Sequence, residues 1–321
     1  MKVLITGGSG FIGSHLADRL LNKGTQVLTI DNYVTGRQDN LTPQDGLTVI
    51  EGSISDRLLM DKIFDNFNPD QVVHAAASYN DPDNWSEDIS TNVSGTANVV
   101  QAAKKTGVKR FIYFQTALCY GVNPTEQPIT IEHPLHPKNS SYAISKTAGE
   151  NYIQLSGLDY ISFRLANMYG PRNLSGPLPT FYHRLNSGQP CYVMDTRRDF
   201  IFVTDAIDLI EMALGGCGEK GIYHISSGED FQIKELFEAT LAAMDITPDK
   251  PVEVRPREAD DAYSILLDPS KTTHDFKWTP NTPLSKGVTQ AIDWYKQYGI
   301  SKTYTGTILI CIATITYTTV I

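Results

Sequence analysis

The chain has 321 residues, 41% of them hydrophobic, with 27 lysines and arginines against 36 aspartates and glutamates. That length suffices for one large domain or a domain with an attached lobe, and a formal net charge of −9 with no basic run argues against nucleic acid and anionic membrane as partners. Four scattered cysteines, Cys119, Cys191, Cys217 and Cys311, show neither metal-ligand spacing nor a disulfide framework, so no metal and a reducing, cytoplasmic compartment are expected.

Met1 leads straight into an apolar run at 3–5, which reads as a buried strand with no secretory signal ahead of it. Gly7, Gly10 and Gly13 follow at once, and residues 14–23 then place Leu16, Ala17, Leu20 and Leu21 on one helical face. A strand that turns into a helix through glycines aims backbone N–H groups and a helix N-terminus at one spot, where a diphosphate is stabilised. A second strand over 26–30 ends at Asp31, the spacing at which a carboxylate meets the adenosine ribose hydroxyls. That charge repels a 2′-phosphate, so NAD is expected over NADP, with Arg37 the nearby residue that favours NADP.

Further strands are expected at Leu47–Glu51, Gln71–His74, 110–115 and Tyr160–Leu165, with helices at 56–67, 87–106 and 142–155. Strands alternating with helices imply right-handed crossovers and an α/β, Rossmann-type doubly wound parallel sheet, with ligand beyond the carboxyl ends of the strands. After about Asn167 prolines and glycines crowd the chain. The expected division is a dinucleotide-binding domain over 1–166 with return excursions from about 199–225, and a smaller substrate-binding lobe over 167–304. Segment 305–321 is uncharged and rich in threonine and isoleucine; it is short for a membrane span, and reads as a terminal β-segment or an appended tail.

Tyr142-Ala-Ile-Ser-Lys146 is the expected chemical centre, because residues i and i+4 share a helix face. A phenol has a pKa of about 10, and a nearby ammonium lowers it, so Tyr142 could take a proton from a hydroxyl as hydride leaves its carbon. Thr116, at the end of the fifth strand, could hydrogen-bond the same oxygen. Asn92 opens the apolar part of the preceding helix, where such a side chain more often bridges backbone than reacts.

Segments 6–13, 31–32, 52–56, 74–77, 92–96, 116–121, 142–146, 164–171 and 198–205 together resemble an extended short-chain dehydrogenase/reductase of the nucleotide-sugar epimerase/dehydratase family, over residues 1 to about 298. The resemblance implies that NAD is held by Gly7, Gly10, Phe11, Ile12 and Gly13, by Asp31 and Asn32, and by Ile54, Ala75, Ala76 and Asn92. It places Asp56 at the adenine amine, Tyr142 as catalytic base, Lys146 at the nicotinamide ribose and Thr116 as the assisting hydroxyl. Asn167 and Arg198 are implied at a sugar-nucleotide diphosphate, a role a guanidinium suits; a surface ion pair of Arg198 with Asp195 or Asp199 is the structural alternative. Tyr79 and Ala117, with Asn80 and Trp85, would face the sugar. Arg255 and Arg257 are further phosphate or ribose candidates beside the acids Glu258, Asp260 and Asp261, and Tyr192 either flanks the nucleotide base or belongs to the core. His183 and Arg184 would meet a carboxylate or sit on a helix surface.

The chain departs from family dehydratases and decarboxylases at Ala117 and Leu118, where they carry acids, and from 3,5-epimerising relatives at Leu118, where they carry a cysteine. What remains is oxidation at C4, rotation of the keto-sugar and reduction on the other face. Segments 115–121 and 79–85 most resemble UDP-sugar 4-epimerases of bacterial surface-polysaccharide (O-antigen) pathways, which implies a UDP-hexose or a UDP-N-acetylated uronic acid as substrate. The alternatives are a 4,6-dehydratase, a 4-keto-sugar reductase, or a non-catalytic NAD-sensing protein. The resemblance further implies a homodimer through a four-helix bundle of the helices at 87–106 and 142–155, with Val93, Ala97, Val100, Ile144, Ala148 and Ile153 as apolar surface; packing of these stripes on their own sheet is the alternative.

Overall fold

The computed structural model describes residues 1–257 and 261–300, so Glu258, Asp260 and the segment 305–321 lie outside the described residues. Six parallel strands, β1 (Lys2–Thr6), β2 (Gln26–Asp31), β3 (Leu47–Glu51), β4 (Gln71–His74), β5 (Arg110–Thr116) and β6 (Tyr160–Leu165), form the sheet with a seventh, Gly221–Ile225. The spatial order is Gly221–Ile225, β6, β5, β4, β1, β2, β3. The order reverses between β1 and β4, where Thr6 pairs with His74, and a cleft opens beyond the carboxyl ends at such a reversal. The register aligns Thr6 with Ile30, and Thr116 with Leu165, so the residues just past each strand meet at one level.

Helices cover both faces. α1 (Phe11–Leu21) buries Leu16, Ala17 and Leu20 against Val3 and Ile5. α2 (Arg57–Phe67) buries Met60, Ile63 and Phe64 with Leu4, Val72 and Phe111 on the opposite face. Strands buried on both sides read as continuous apolar runs, which is why β1 and β5 were legible. α1 begins three residues before the expected 14, because Gly10 already adopts the extended N-cap conformation.

The helix expected over 87–106 is composite. A short turn, α3 (Trp85–Asp88), passes through a π-helical stretch, Ile89–Gly95, into α4 (Thr96–Thr106). α5 (Ser141–Ser156) starts where the Ser140 side chain accepts the Ala143 N–H, a standard N-cap. Two of the residues expected on a dimer surface lie in the core instead: Val100 and Ile153 are buried against the sheet because each faces β4–β6. Ile144 and Leu155, on the other face of α5, are exposed.

Beyond β6 a third apolar cluster gathers Tyr169, Phe181, Phe200, Phe237 and Tyr295, separate from the two sheet cores. The helix Val203–Leu214 returns to pack Ile207 and Ile210 onto the α1 face of the sheet. Among the described residues no helix is long and apolar enough to cross a membrane.

Candidate active site

The glycine turn is a close-packed cradle. Gly7 has φ +66°, and a Cβ there would lie 2.7 Å from the Ala76 nitrogen; a Cβ at Gly13 would lie 2.3 Å from the Gly7 carbonyl oxygen. The backbone can approach a ligand here only because both side chains are absent. α1 has no side-chain cap at its start, so its first N–H groups are left for an anion. At the end of β2 the Asp31 carboxylate accepts from Ser9 N and Tyr33 N, each at 2.9 Å. Burial raises its pKa, and these backbone donors oppose that rise. A Cβ at Gly36 would stand 2.7 Å from this carboxylate, so glycine leaves it approachable. Cradle, uncapped helix start and ribose-facing acid together fit a dinucleotide.

One cavity of about 510 Å³ runs from this end to Tyr169, Leu178 and Phe200 of the third apolar cluster. Gly7, Gly10, Phe11, Ile12, Gly13, Asp31, Asn32 and Ile54 line one end, and Ala75 and Ala76 its middle. Tyr79, Asn80, Thr116, Ala117, Tyr142, Lys146, Asn167 and Arg198 also line it. The expected catalytic and cofactor residues thus share one space, apart from those named below.

Lys146 is only 2% exposed. Its Nζ lies 4.0 Å from the centroid of the Tyr113 ring, a cation–π contact. Burial lowers its pKa to about 7, with Glu150 acting in the opposite direction. The Tyr113 hydroxyl donates to the Lys146 carbonyl at 3.0 Å and so pins this turn of α5 to β5. Tyr142, one turn earlier, meets the Tyr79 ring edge-on at 6.3 Å. The Thr116 hydroxyl accepts from Leu118 N at 3.2 Å, which leaves its hydrogen for an acceptor in the cavity. Cys119 is buried in the core, its thiol pushed up to about 12 by burial. Ala117 and Leu118 line the cavity and transfer no proton.

Several expected ligand contacts sit elsewhere or are already engaged. Asp56 is exposed and outside the cavity lining; its carboxylate accepts from Leu59 N and caps α2, since a helix start takes the nearest acceptor. Asn92 is fully buried, with its amide spent on Ser78 N and O and on Ser145 Oγ, which ties the π-helical stretch to α5. Tyr192 is 37% exposed and lies under the Arg255 guanidinium at 3.7 Å, neither core nor cavity. Arg257 donates to the Asp261 carbonyl, and Arg255 pairs with Glu253. Arg198 lines the cavity but is wholly buried, and its partner is Asp261 at 2.8 Å, not Asp195 or Asp199. Its Nε is buried without a hydrogen-bond partner. Asp199 instead faces Ser226, Ser227 and Leu267, with its carboxyl raised to about 6 by burial. His183 and Arg184 lie on a helix outside the cavity lining, and Trp85 is exposed.

Residues assigned no role from the sequence form the support behind the cavity. His74 bridges Thr6 Oγ1 at 2.6 Å and Thr96 Oγ1 at 2.8 Å, which ties β1, β4 and α4 together beneath the glycine turn. Glu150 and Arg164 form a fully buried ion pair at 2.8 Å on the far side of Lys146. Buried charge in a strand and a helix was the available signal, since such groups are seldom buried unpaired.

The profile of the NAD dependent epimerase/dehydratase family matches residues 3–226. A putative UDP-glucose 4-epimerase of Methanocaldococcus jannaschii is 30% identical across 92% of this chain and 98% of its own. Among solved structures, the Bordetella bronchiseptica enzyme WbmH in complex with NAD⁺ is 52% identical, with a TM-score of 0.90, across 93% of this chain and 99% of that one. WbmG from the same organism, in complex with NAD and UDP, is 46% identical with a TM-score of 0.89, across 93% and 96%.

Proposed function

We propose a function from one premise: the chain belongs to the NAD dependent epimerase/dehydratase family. It is an NAD-dependent nucleotide-sugar 4-epimerase. The observation that carries this reading is one cavity in which Tyr142, Lys146 and Thr116 share space with the glycine cradle, while Ala117 and Leu118 supply no acid. The similarity to 4-epimerases and to NAD-bound structures supports it. The UDP bound to WbmG supports UDP as the carried nucleotide.

The glycine turn and Asp31 would hold NAD, which when bound would supply a reversible hydride acceptor. The chain's own residues handle the proton and the geometry. Tyr142, as phenolate, takes the proton from the C4 hydroxyl and, after the keto-sugar has turned so that hydride returns to the opposite face of C4, gives the proton back to the C4 oxygen. The Lys146 ammonium favours the phenolate and holds the nicotinamide ribose. Thr116 donates to the reacting oxygen and stabilises its changing charge. Tyr79 and Ala117 border the sugar, and Ala117 leaves it room to rotate. Asn167 and Arg198 serve the substrate diphosphate, for which Arg198 has to share its guanidinium between phosphate and Asp261. Elimination across C5 and C6 would need an acid where Ala117 and Leu118 stand, so dehydration is disfavoured.

A homodimer through α4 and α5 belongs to the same reading. Ile144, Tyr152 and Leu155 on α5, and Ile89 at the start of the π-helical stretch before α4, are exposed apolar side chains, and a bundle would bury them. The test of function is incubation of the purified protein with UDP-, dTDP- and GDP-sugars without added cofactor, including UDP-hexoses and N-acetylated uronates. A C4 epimer supports the reading. A 4-keto-6-deoxy product, or bound NAD with no turnover of any sugar, overturns it.

A further inference from the structure

Tyr142, Lys146 and Glu150 succeed one another at four-residue spacing on one face of α5. The third of them has no part in the proton transfer. Its carboxylate is wholly buried and accepts from Arg164 Nη2 at 2.8 Å and from Ser162 Oγ at 2.5 Å. The Arg164 Nη1 donates to the Tyr120 hydroxyl at 2.7 Å. That hydroxyl lies 2.7 Å from His224 Nε2, and His224 Nδ1 lies 2.9 Å from the Asp268 carbonyl. A carbonyl only accepts, so His224 carries its proton on Nδ1 and Tyr120 donates to Nε2. Every link then has a donor and an acceptor, and the chain ends on a neutral imidazole, whose pKa burial lowers to about 4.

We propose that Glu150, one helical turn beyond Lys146 on the same face of α5 and fixed by Arg164, is a positioning residue that keeps the Lys146 ammonium charged. The inference rests on the assignment of Tyr142 and Lys146 as the reacting pair. Lys146 is closed off from water and faces the Tyr113 ring from β5. His74 of β4 acts on it only as a buried group held neutral, well below its ordinary pKa. The buried Cys119 thiol is likewise neutral. Tyr142 precedes it on α5, and Arg164 and Tyr120 stand behind Glu150. Glu150 stands one turn along the same face of α5, and its charge favours the protonated form of this ammonium. A charge removed from water needs such a partner. Arg164 in turn anchors Glu150 to β6 and, through Tyr120, to the segment that carries Thr116, so helix and strand end are held in one frame.

The experiment measures kcat and KM for epimerisation against pH, with bound NAD counted, for wild type, Glu150→Gln, Glu150→Asp and Arg164→Gln. With Gln at 150 the ammonium loses its stabilising charge and Arg164 stands uncompensated, so the alkaline limb of kcat moves down by about one pH unit, a roughly tenfold loss on that limb. Asp at 150 moves it less. Arg164→Gln leaves the Glu150 charge unopposed and moves the limb upward. KM and NAD content stay near wild type for whichever variants fold. A role in packing alone lowers kcat by the same factor at every pH in both 150 and 164 variants, and that result overturns the proposal. Should the single variants fail to fold, Glu150→Gln combined with Arg164→Met removes both charges together. The limb then still moves downward, by less, and an unmoved limb overturns the proposal. A wild type that epimerises no sugar refutes the functional reading instead.

Discussion

The ammonium of Lys146 sits 4.0 Å from the centre of the Tyr113 ring, in a site where only 2% of the lysine is exposed. The ring replaces part of the hydration that burial removes, and a desolvated contact of this type contributes about 2 kcal/mol. Tyr113→Phe keeps the ring and loses only the bond to the Lys146 carbonyl, so activity should fall by less than about tenfold. Tyr113→Leu removes the ring face and should cost activity more steeply than its loss of thermal stability accounts for. Rates and melting temperatures of the two variants, compared side by side, check this.

Tyr142→Phe should abolish turnover while the purified protein still carries NAD, because the proposed mechanism gives the proton transfer to the phenol and the binding to the glycine turn. Lys146→Met should lose turnover and part of the bound cofactor. Chromatography of nucleotide released on denaturation, together with epimerisation rates, distinguishes the two. Unchanged turnover in Tyr142→Phe removes it as the base.

Gly13→Ala should empty the cofactor site, because its Cβ would stand 2.3 Å from the Gly7 oxygen. Gly24→Ala serves as the control: nothing lies within 4 Å, but φ is +75°. It should cost about 1 kcal/mol of stability and leave NAD content intact.

Arg198→Gln should raise KM for the nucleotide sugar while NAD stays bound. It also breaks a buried pair with Asp261, a change that typically costs about 3–5 kcal/mol. Asp261→Asn keeps a hydrogen-bond acceptor for Arg198 and should disturb folding less. A KM unchanged in Arg198→Gln would assign this arginine to structure alone.

Stability should fall in mild acid. Burial lowers the pKa of both His15 and His224 to about 4, and that of His74 well below 6.5. An unfolded chain binds their protons from about pH 6.5 downward, whereas the folded chain resists until about pH 4. Stability is therefore complete above the unfolded value and is lost as the pH falls through this window. Asp199, raised to about 6 by burial, works in the opposite direction over much of the same range, as do Asp31 and Asp88, which burial also raises; the expected net sign is that of the three imidazoles. A series of melting temperatures between pH 7 and 4 tests the sign, and His15→Gln should flatten it. A melting temperature that rises on acidification contradicts the account.

The sheet was readable because its strands are short apolar runs that end in functional residues. β3, β4 and β6 lie where the sequence placed them. The glycine turn and the Tyr142–Lys146 spacing were readable because strand-to-helix geometry and helix periodicity fix them locally. What escaped the sequence depends on contacts distant along the chain. Arg198 meets Asp261 across 63 residues, and no spacing rule separates that partner from the nearer Asp195 and Asp199. The family resemblance implied Asp56 at the adenine amine; in the structure it opens α2 and its carboxylate caps that helix. The π-helical stretch at Ile89–Gly95 is a single short run inside a longer helix, and apolar periodicity over so few residues does not separate it from an α-helix. Glu150 and Arg164 were on the page as letters; only burial makes them a pair.

The most direct measurement uses a UDP-sugar carrying deuterium at C4, incubated with purified enzyme in ordinary water without added cofactor. The account predicts a C4 epimer that keeps the deuterium, because the hydride leaves the carbon and returns to it within one closed site. An epimer whose label has washed into solvent, or a labelled substrate left unchanged beside bound NAD, would contradict it.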